Sequence, residues 1–160
     1  MIEVLKKHTV KDIMTSKVIT VSPGDPILDV AKIIIDHNFN GVPVVDENNK
    51  LLGVITEYDL ISKETGIHLP TFQTILKNLA VYKKDKSRFK KEVAQIVSLT
   101  AEKVMNPKPL TLSVNTSFQD VVKAFQDHHK VNPIPVVEKN NKLAGIVSRY
   151  DVLKSLSLLK

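Results

Sequence analysis

The chain has 160 residues, 42% of them hydrophobic and 25% charged, a mixture that supports a packed core in one compact domain or two closely packed halves. It contains no cysteine, which excludes disulfides, thiolate metal sites and cysteine nucleophiles. Lys and Arg exceed Asp and Glu by 23 to 17, and the net charge of +6 admits anionic partners without selecting one. No apolar run approaches the roughly 20 residues that span a bilayer. The start, Met1 to Lys7, lacks the apolar stretch and cleavage site of a signal peptide, so the expected location is the cytoplasm.

Taken in chain order, the pattern predicts a short strand at Val18–Val21 and then a helix after Ser22-Pro23-Gly24-Asp25-Pro26. Asp25 suits the capping position and Pro26 the first helical position. Ile27, Val30, Ala31 and Ile34 recur at i, i+3, i+4 and i+7 and define a buried face. Val42–Val45 and Leu51–Ile55 flank an Asn48-Asn49 turn and read as an antiparallel hairpin, with Pro43 near the strand's start. A closing helix is expected to begin at Thr56.

The same order returns further along. Val10–Met14 matches Ala101–Met105 at an offset of 91, and Thr20, Asp29 and Lys32 match Thr111, Asp120 and Lys123. One extra residue near His128 shifts the offset to 92, after which Pro43-Val44-Val45 matches Pro135-Val136-Val137 and Tyr58-Asp59 matches Tyr150-Asp151. The second copy predicts a strand over Leu110–Val114 and a capping box at Thr116–Gln119. It also predicts a buried face of Phe118, Val121, Val122 and Phe125, and a closing helix from Ser148. Two small copies that bury each other's apolar faces make physical sense, because one alone is marginal. The organisation read from this is repeat one at 1–61, an insert at 62–100 and repeat two at 101–160.

Within the insert, Phe72, Ile75, Leu76 and Leu79 have helical spacing, as do Phe89, Val93, Ile96 and Val97. Between these two predicted helices lies the densest basic run of the chain, Lys83 to Lys91.

On Val-Lys-Asp-Ile-Met at 10–14, Gly-Val-Pro-Val-Val-Asp at 41–46 and Gly-Val-Ile-Thr-Glu-Tyr-Asp at 53–59, with Asn-Pro-Ile-Pro-Val-Val-Glu at 132–138 and Gly-Ile-Val-Ser-Arg-Tyr-Asp at 145–151, the chain resembles a tandem cystathionine-β-synthase (CBS) domain pair, or Bateman module. The resemblance covers both copies and not the insert. It implies an α/β (α+β) fold of two β-α-β-β-α repeats about a pseudo-twofold axis. It also implies composite clefts for an adenine-containing ligand such as AMP, ADP, ATP or S-adenosylmethionine. The module would be regulatory, a homodimer, not an enzyme, and would signal to a separate effector protein, with an adenine nucleotide as regulatory ligand and no obligatory cofactor.

The repeated motif Gly53-x-x-Thr56-x-x-Asp59 and Gly145-x-x-Ser148-x-x-Asp151 puts a strand end against a helix start, where orphan N–H groups favour phosphate. The hydroxyl can donate to phosphate, the carboxylate can accept ribose hydroxyls, and the glycine leaves room for the ligand. The same spacing is also that of a capping box, and both readings can hold in turn. By resemblance, the adenine slot is walled by Ile19, Thr20, Val21 and Ser22 or by Leu110, Thr111, Leu112 and Ser113, with Val42 and Ile134 adding to it. Ser148 and Asp151 would then work with Thr20 and Val42, and Thr56 and Asp59 with Thr111 and Ile134. For the apolar members, ordinary core packing is the competing reading.

His129, Lys130 and Arg149 stand where copy one has His37, Asn38 and Glu57, and they make the Asp151 cleft the first choice for an anionic nucleotide. A solvated helix end is the alternative for these cations. No metal set, Ser/His/Asp arrangement or glycine-rich phosphate loop is present. The second functional reading is a ligand-independent interaction scaffold, or a nucleic-acid scaffold, acting through the basic insert.

Overall fold

The computed structural model describes residues 8–61, 94 and 96–157. The predicted insert helix at 72–79, the basic run at 83–91 and the part of the second predicted insert helix before residue 94 lie outside the described residues, while Ile96 and Val97 of that helix are described and helical.

Copy one forms α1 (Ile27–Asp36), β1 (Gly41–Val45), β2 (Leu51–Thr56) and α2 (Glu57–Ile61). Copy two forms α3 (Ala101–Val104), β3 (Leu112–Ser113), α4 (Phe118–Asp127), β4 (Ile134–Val137), β5 (Leu143–Val147) and α5 (Arg149–Ser157). Each copy contains the expected antiparallel hairpin, with Val42 opposite Ile55 and Ile134 opposite Val147. The Asn48-Asn49 turn is closed by Asp46, whose carboxylate accepts the N–H of Asn48 at 2.9 Å and of Lys50 at 2.8 Å. Asn49 takes φ of 60°, a left-handed conformation that asparagine tolerates because its short side chain bonds locally.

Several local expectations are corrected. The strand expected at Val18–Val21 is a single parallel bridge between Val21 and Val44, whereas copy two has a true β3 paired with β4. Val21 donates to the Pro43 carbonyl and accepts from Val45, but the next donor toward β1 would be residue 23, a proline without an N–H, and the Ser22 N–H between them is taken by the Asp25 carboxylate at 2.8 Å. Asp25 therefore does not cap α1; Pro26 occupies the capping position, and the helix begins at Ile27. In copy two the cap is Ser117 with Asp120, one residue beyond the expected Thr116–Gln119 box. Thr56 and Ser148 precede the closing helices, which start at Glu57 and Arg149. Val122 is half-buried, while Phe118, Val121 and Phe125 are buried as expected.

Packing crosses between the copies. Ile96, Ala101 and Val104 join the core formed by Ile27, Val30, Val42 and Ile55 of copy one. Val10 joins the core of Val121, Phe125, Ile134 and Val147 in copy two, with Ile13 and Met14 beside it. Backbone bonds tie each exchange: Val10 N–H donates to Thr116 at 2.8 Å, and Ala101 N–H to Asp25 at 2.9 Å. Val97 is half exposed and does not share the burial of Ile96.

Between the two cores lies a third cluster of Val45, Leu51, Val54 and Leu143. There the hairpin turns clasp each other: Asn49 Nδ2 donates to the Leu143 carbonyl at 3.0 Å and Asn141 Nδ2 to the Leu51 carbonyl at 2.7 Å. These reciprocal pairs mark the pseudo-twofold axis that relates the copies.

Candidate functional site

The two repeated motifs are built alike. Thr56 donates its N–H and hydroxyl to Asp59 Oδ2 at 2.7 and 2.6 Å, and Asp59 N–H returns to the Thr56 hydroxyl at 3.3 Å. Ser148 and Asp151 repeat this at 2.7, 2.7 and 3.3 Å. Both are capping boxes as they stand, which satisfies helix-end donors that otherwise lack partners.

The copies interlock beside these caps. Thr15 pairs with Ile146, and Asn106 with Val54. A Cβ on Gly145 would lie 2.6 Å from Met14 Sδ, and one on Gly53 would lie 2.6 Å from Met105 Sδ and 2.7 Å from the Asn106 carbonyl. The glycines thus make room for the opposite copy's chain. The space expected there for a ligand is filled by methionine.

A cavity of about 240 Å³ opens next to the Ser148–Asp151 cap. Copy one lines it with Lys17, Val18 and Ile19 and with Asn38, Phe39 and Asn40. Copy two supplies Pro133, Ile146, Ser148, Tyr150 and Asp151. Ser148 and Asp151 share this cavity with the segment before α1; of the expected wall residues Ile19 lines it, Thr20 and Val42 do not, and Gly41 stands in the place expected for Val42.

The other candidates are placed as follows. Val42 and Ile134 are fully buried core residues, and Val21 is almost fully buried. Thr20 is half-buried, and Ser22 is exposed with its N–H on Asp25. Thr111 and Ser113 line an open depression with Asn115, Glu138 and Lys139 that includes neither Thr56 nor Asp59.

None of the three copy-two candidates, His129, Lys130 and Arg149, lines the Asp151 cavity. Arg149 donates to the carbonyls of His128 and His129 and lies 5.3 Å from the Phe125 ring centre. Lys130 reaches across to copy one, with Nζ 5.8 Å from the Tyr58 ring centre. His129 is exposed and is absent from the cavity lining. Sequence reasoning missed Lys17, Asn38, Asn40 and Tyr150; the pairing of Tyr58 with Tyr150 in the repeat was the available signal for the last.

Two copies of one unit, interlocked about a pseudo-twofold axis, agree with the family comparison: the CBS domain model matches residues 10–66 and 101–158. The chain belongs to the CBS domain family. This CBS pair is 28% identical over 159 residues to the chloroplastic CBS domain-containing protein CBSX2 of Arabidopsis thaliana, covering 96% of this chain and 65% of that protein. It is 29% identical over 158 residues to an uncharacterized protein of Methanocaldococcus jannaschii, covering 99% of this chain and 34% of that one. The CBS pair thus spans less than two thirds of the length of either relative.

The crystal structure of CBSX2 in complex with AMP superposes with a TM-score of 0.70 at 25% identity, covering 95% of this chain and 98% of that one. The CBS domain pair of protein MJ0100, in complex with 5′-methylthioadenosine and S-adenosyl-L-methionine, gives 0.65 at 26% identity, covering 96% and 98%. Among the described residues of the CBS pair, no His, Asp and Glu cluster could hold a metal ion, and no helix is long and apolar enough to cross a membrane.

Proposed function

We propose that this CBS pair is a regulatory module that binds an adenine-containing ligand between its two copies and signals to a separate protein. The observation that carries the reading is the cavity whose walls come from both copies and include the Ser148–Asp151 cap. The crystallised relatives with AMP and with S-adenosyl-L-methionine support the ligand class.

Asp151 offers an acceptor-only carboxylate, suited to a pair of ribose hydroxyls, and Ser148 a hydroxyl that can turn from the carboxylate to the ligand. Ile19, Phe39 and Pro133 supply apolar surface for a purine ring, and Asn38 and Asn40 supply amide groups at its edge. A ligand seated there touches both copies at once. It favours whichever arrangement of the copies it fits better, and that difference in affinity is the signal. Thr56 and Asp59 repeat the motif on the other side of the axis and form the second proposed site. Two such modules would associate as a homodimer in the cytoplasm, and the exposed Tyr58, Tyr150 and Leu153 on the closing helices support the dimer.

The test is a thermal-shift series with AMP, ADP, ATP, S-adenosylmethionine and 5′-methylthioadenosine on the intact chain. A true ligand at 100 times its Kd stabilises the fold by about 2.7 kcal/mol. No shift with any compound at millimolar concentration overturns the proposal. Native mass spectrometry of the purified chain reads ligand mass and oligomeric state together.

A further inference from the structure

We infer that the Asp151 cavity selects an adenine nucleoside carrying no net negative charge, and that Asn38 is the residue that sets this preference. The inference rests on the ligand reading just proposed and names the charge class within it.

Among the described residues, the charge lining the cavity is balanced. Among the described residues that line it, Lys17 is the one cation and Asp151 the one anion. A mono- or diphosphate brings two or more negative charges into a site with one compensating cation, beside a carboxylate. A neutral thioether nucleoside, or a sulfonium one with its own carboxylate and ammonium, brings no such excess.

Two cations that could reverse this balance, Arg149 and Lys130, are held elsewhere by named contacts. The Arg149 guanidinium is occupied by the carbonyls of His128 and His129, at the end of α4, over the Phe125 ring. Carbonyls at a helix C-terminus are a favourable seat for a cation, so leaving it for a phosphate forfeits real interaction. Lys130 is the repeat counterpart of Asn38, and it lies over Tyr58 on the far side of the axis. Among the positions that line the cavity and their repeat counterparts, the two sides therefore differ in charge at this one: copy two offers a lysine where copy one offers a neutral amide. Asn38 lines the Asp151 cavity together with Tyr150, the counterpart of Tyr58. A lysine at 38 would place its charge where Lys130 places it on the other side.

Isothermal titration of the intact chain with 5′-methylthioadenosine, adenosine, AMP and ATP tests this, using wild type, Asp151→Ala and Asn38→Lys. The expected result is that the binding removed by Asp151→Ala favours the two neutral compounds over AMP and ATP by about tenfold or more, the worth of one charge-assisted contact. Asn38→Lys should move the ratio toward AMP by a similar factor. Asn38 has φ of 57°, so circular dichroism must first show that Asn38→Lys folds. A salt series on wild type needs no variant: affinity for the neutral compounds should hold from 50 to 500 mM salt, roughly, because no charge pair is being screened.

An Asp151-dependent site that prefers AMP or ATP overturns the inference, as does a folded Asn38→Lys protein with an unchanged ratio. Failure of all four compounds to bind overturns the ligand reading itself. Binding with the wrong charge preference overturns only the inference drawn here.

Discussion

Asn132 donates its side-chain N–H to Asn40 Oδ1 at 2.9 Å, and this bond joins the two copies at equivalent positions of the repeat. Each asparagine also holds a closing helix. Asn40 Nδ2 donates to the Glu57 carboxylate at 2.9 Å and the Asn40 backbone carbonyl accepts the Glu57 N–H at 3.0 Å, while Asn132 Oδ1 accepts the Arg149 N–H at 3.1 Å. The starts of α2 and α5 are thus tied across the axis by one chain of donors.

Asn40→Ala and Asn132→Ala are each expected to lower stability by about 1 kcal/mol, the net worth of such bonds. The double variant should lose less than the sum, because the shared bond is removed once. Urea unfolding of the four proteins measures the coupling directly, and strict additivity would show that the bond contributes nothing.

Asp151→Ala removes the carboxylate that closes the α5 cap, and Asp59→Ala does the same at α2. Each should cost about 1 kcal/mol of stability without ligand. Asp151→Asn, which keeps an acceptor, should recover part of the stability while weakening a ribose-containing ligand. Denaturant midpoints with and without ligand separate capping from binding.

Gly53→Ala forces a Cβ to within 2.7 Å of the Asn106 backbone carbonyl as well as onto Met105, and Gly145→Ala forces one to 2.9 Å from the Thr15 carbonyl. Backbone cannot give way as a side chain can. Both variants should lose about 1–3 kcal/mol, with Gly53→Ala the worse. Loss of the cross-copy bridges should appear as faster amide exchange at Thr15 or Asn106.

Ile134→Ala empties a fully buried position in the copy-two core and should cost about 2–5 kcal/mol. Val42→Ala, equally buried in copy one, should cost less because fewer methyl groups are removed. Thermal unfolding checks the order, which follows if both act as core residues.

Thr9 N–H donates to Asp12 Oδ2 at 2.8 Å, and this backbone bond holds the Asp12 carboxyl below its ordinary value of 3.8. A lowered folded pKa means a small stabilisation that is complete above the unfolded value and is lost as pH falls through the folded one. Asp12→Asn should flatten that part of the acid limb. Urea midpoints between about pH 5 and pH 2 measure it, and an unchanged acid limb would remove the assignment.

Much of this organisation could be read from the chain alone. The repeat itself, the two hairpins around Asn-rich turns, the buried face of Ile27, Val30, Ala31 and Ile34, and the paired Thr56–Asp59 and Ser148–Asp151 motifs all follow from local spacing. They are visible because strand and helix periodicity and cap chemistry act over a few residues. Local cap placement was read less well: Ser117 won over Thr116 because Asp120 stood three residues on, and Asp25 turned back to Ser22 instead of forward to α1.

What only the tertiary structure decided is which parts of the chain meet. Val10 serves the core of copy two and Ala101 that of copy one, although each opens its own repeat in sequence. Gly53 and Gly145 admit Met105 and Met14 where ligand space was expected. Lys130 lies over Tyr58, and Arg149 over Phe125, both away from Asp151. The physical reason is the same in each case. A repeat tells which residues are equivalent, but the direction of a long side chain and the choice of partner copy depend on packing across the axis, where contacts are separated by some ninety residues and leave no periodic trace.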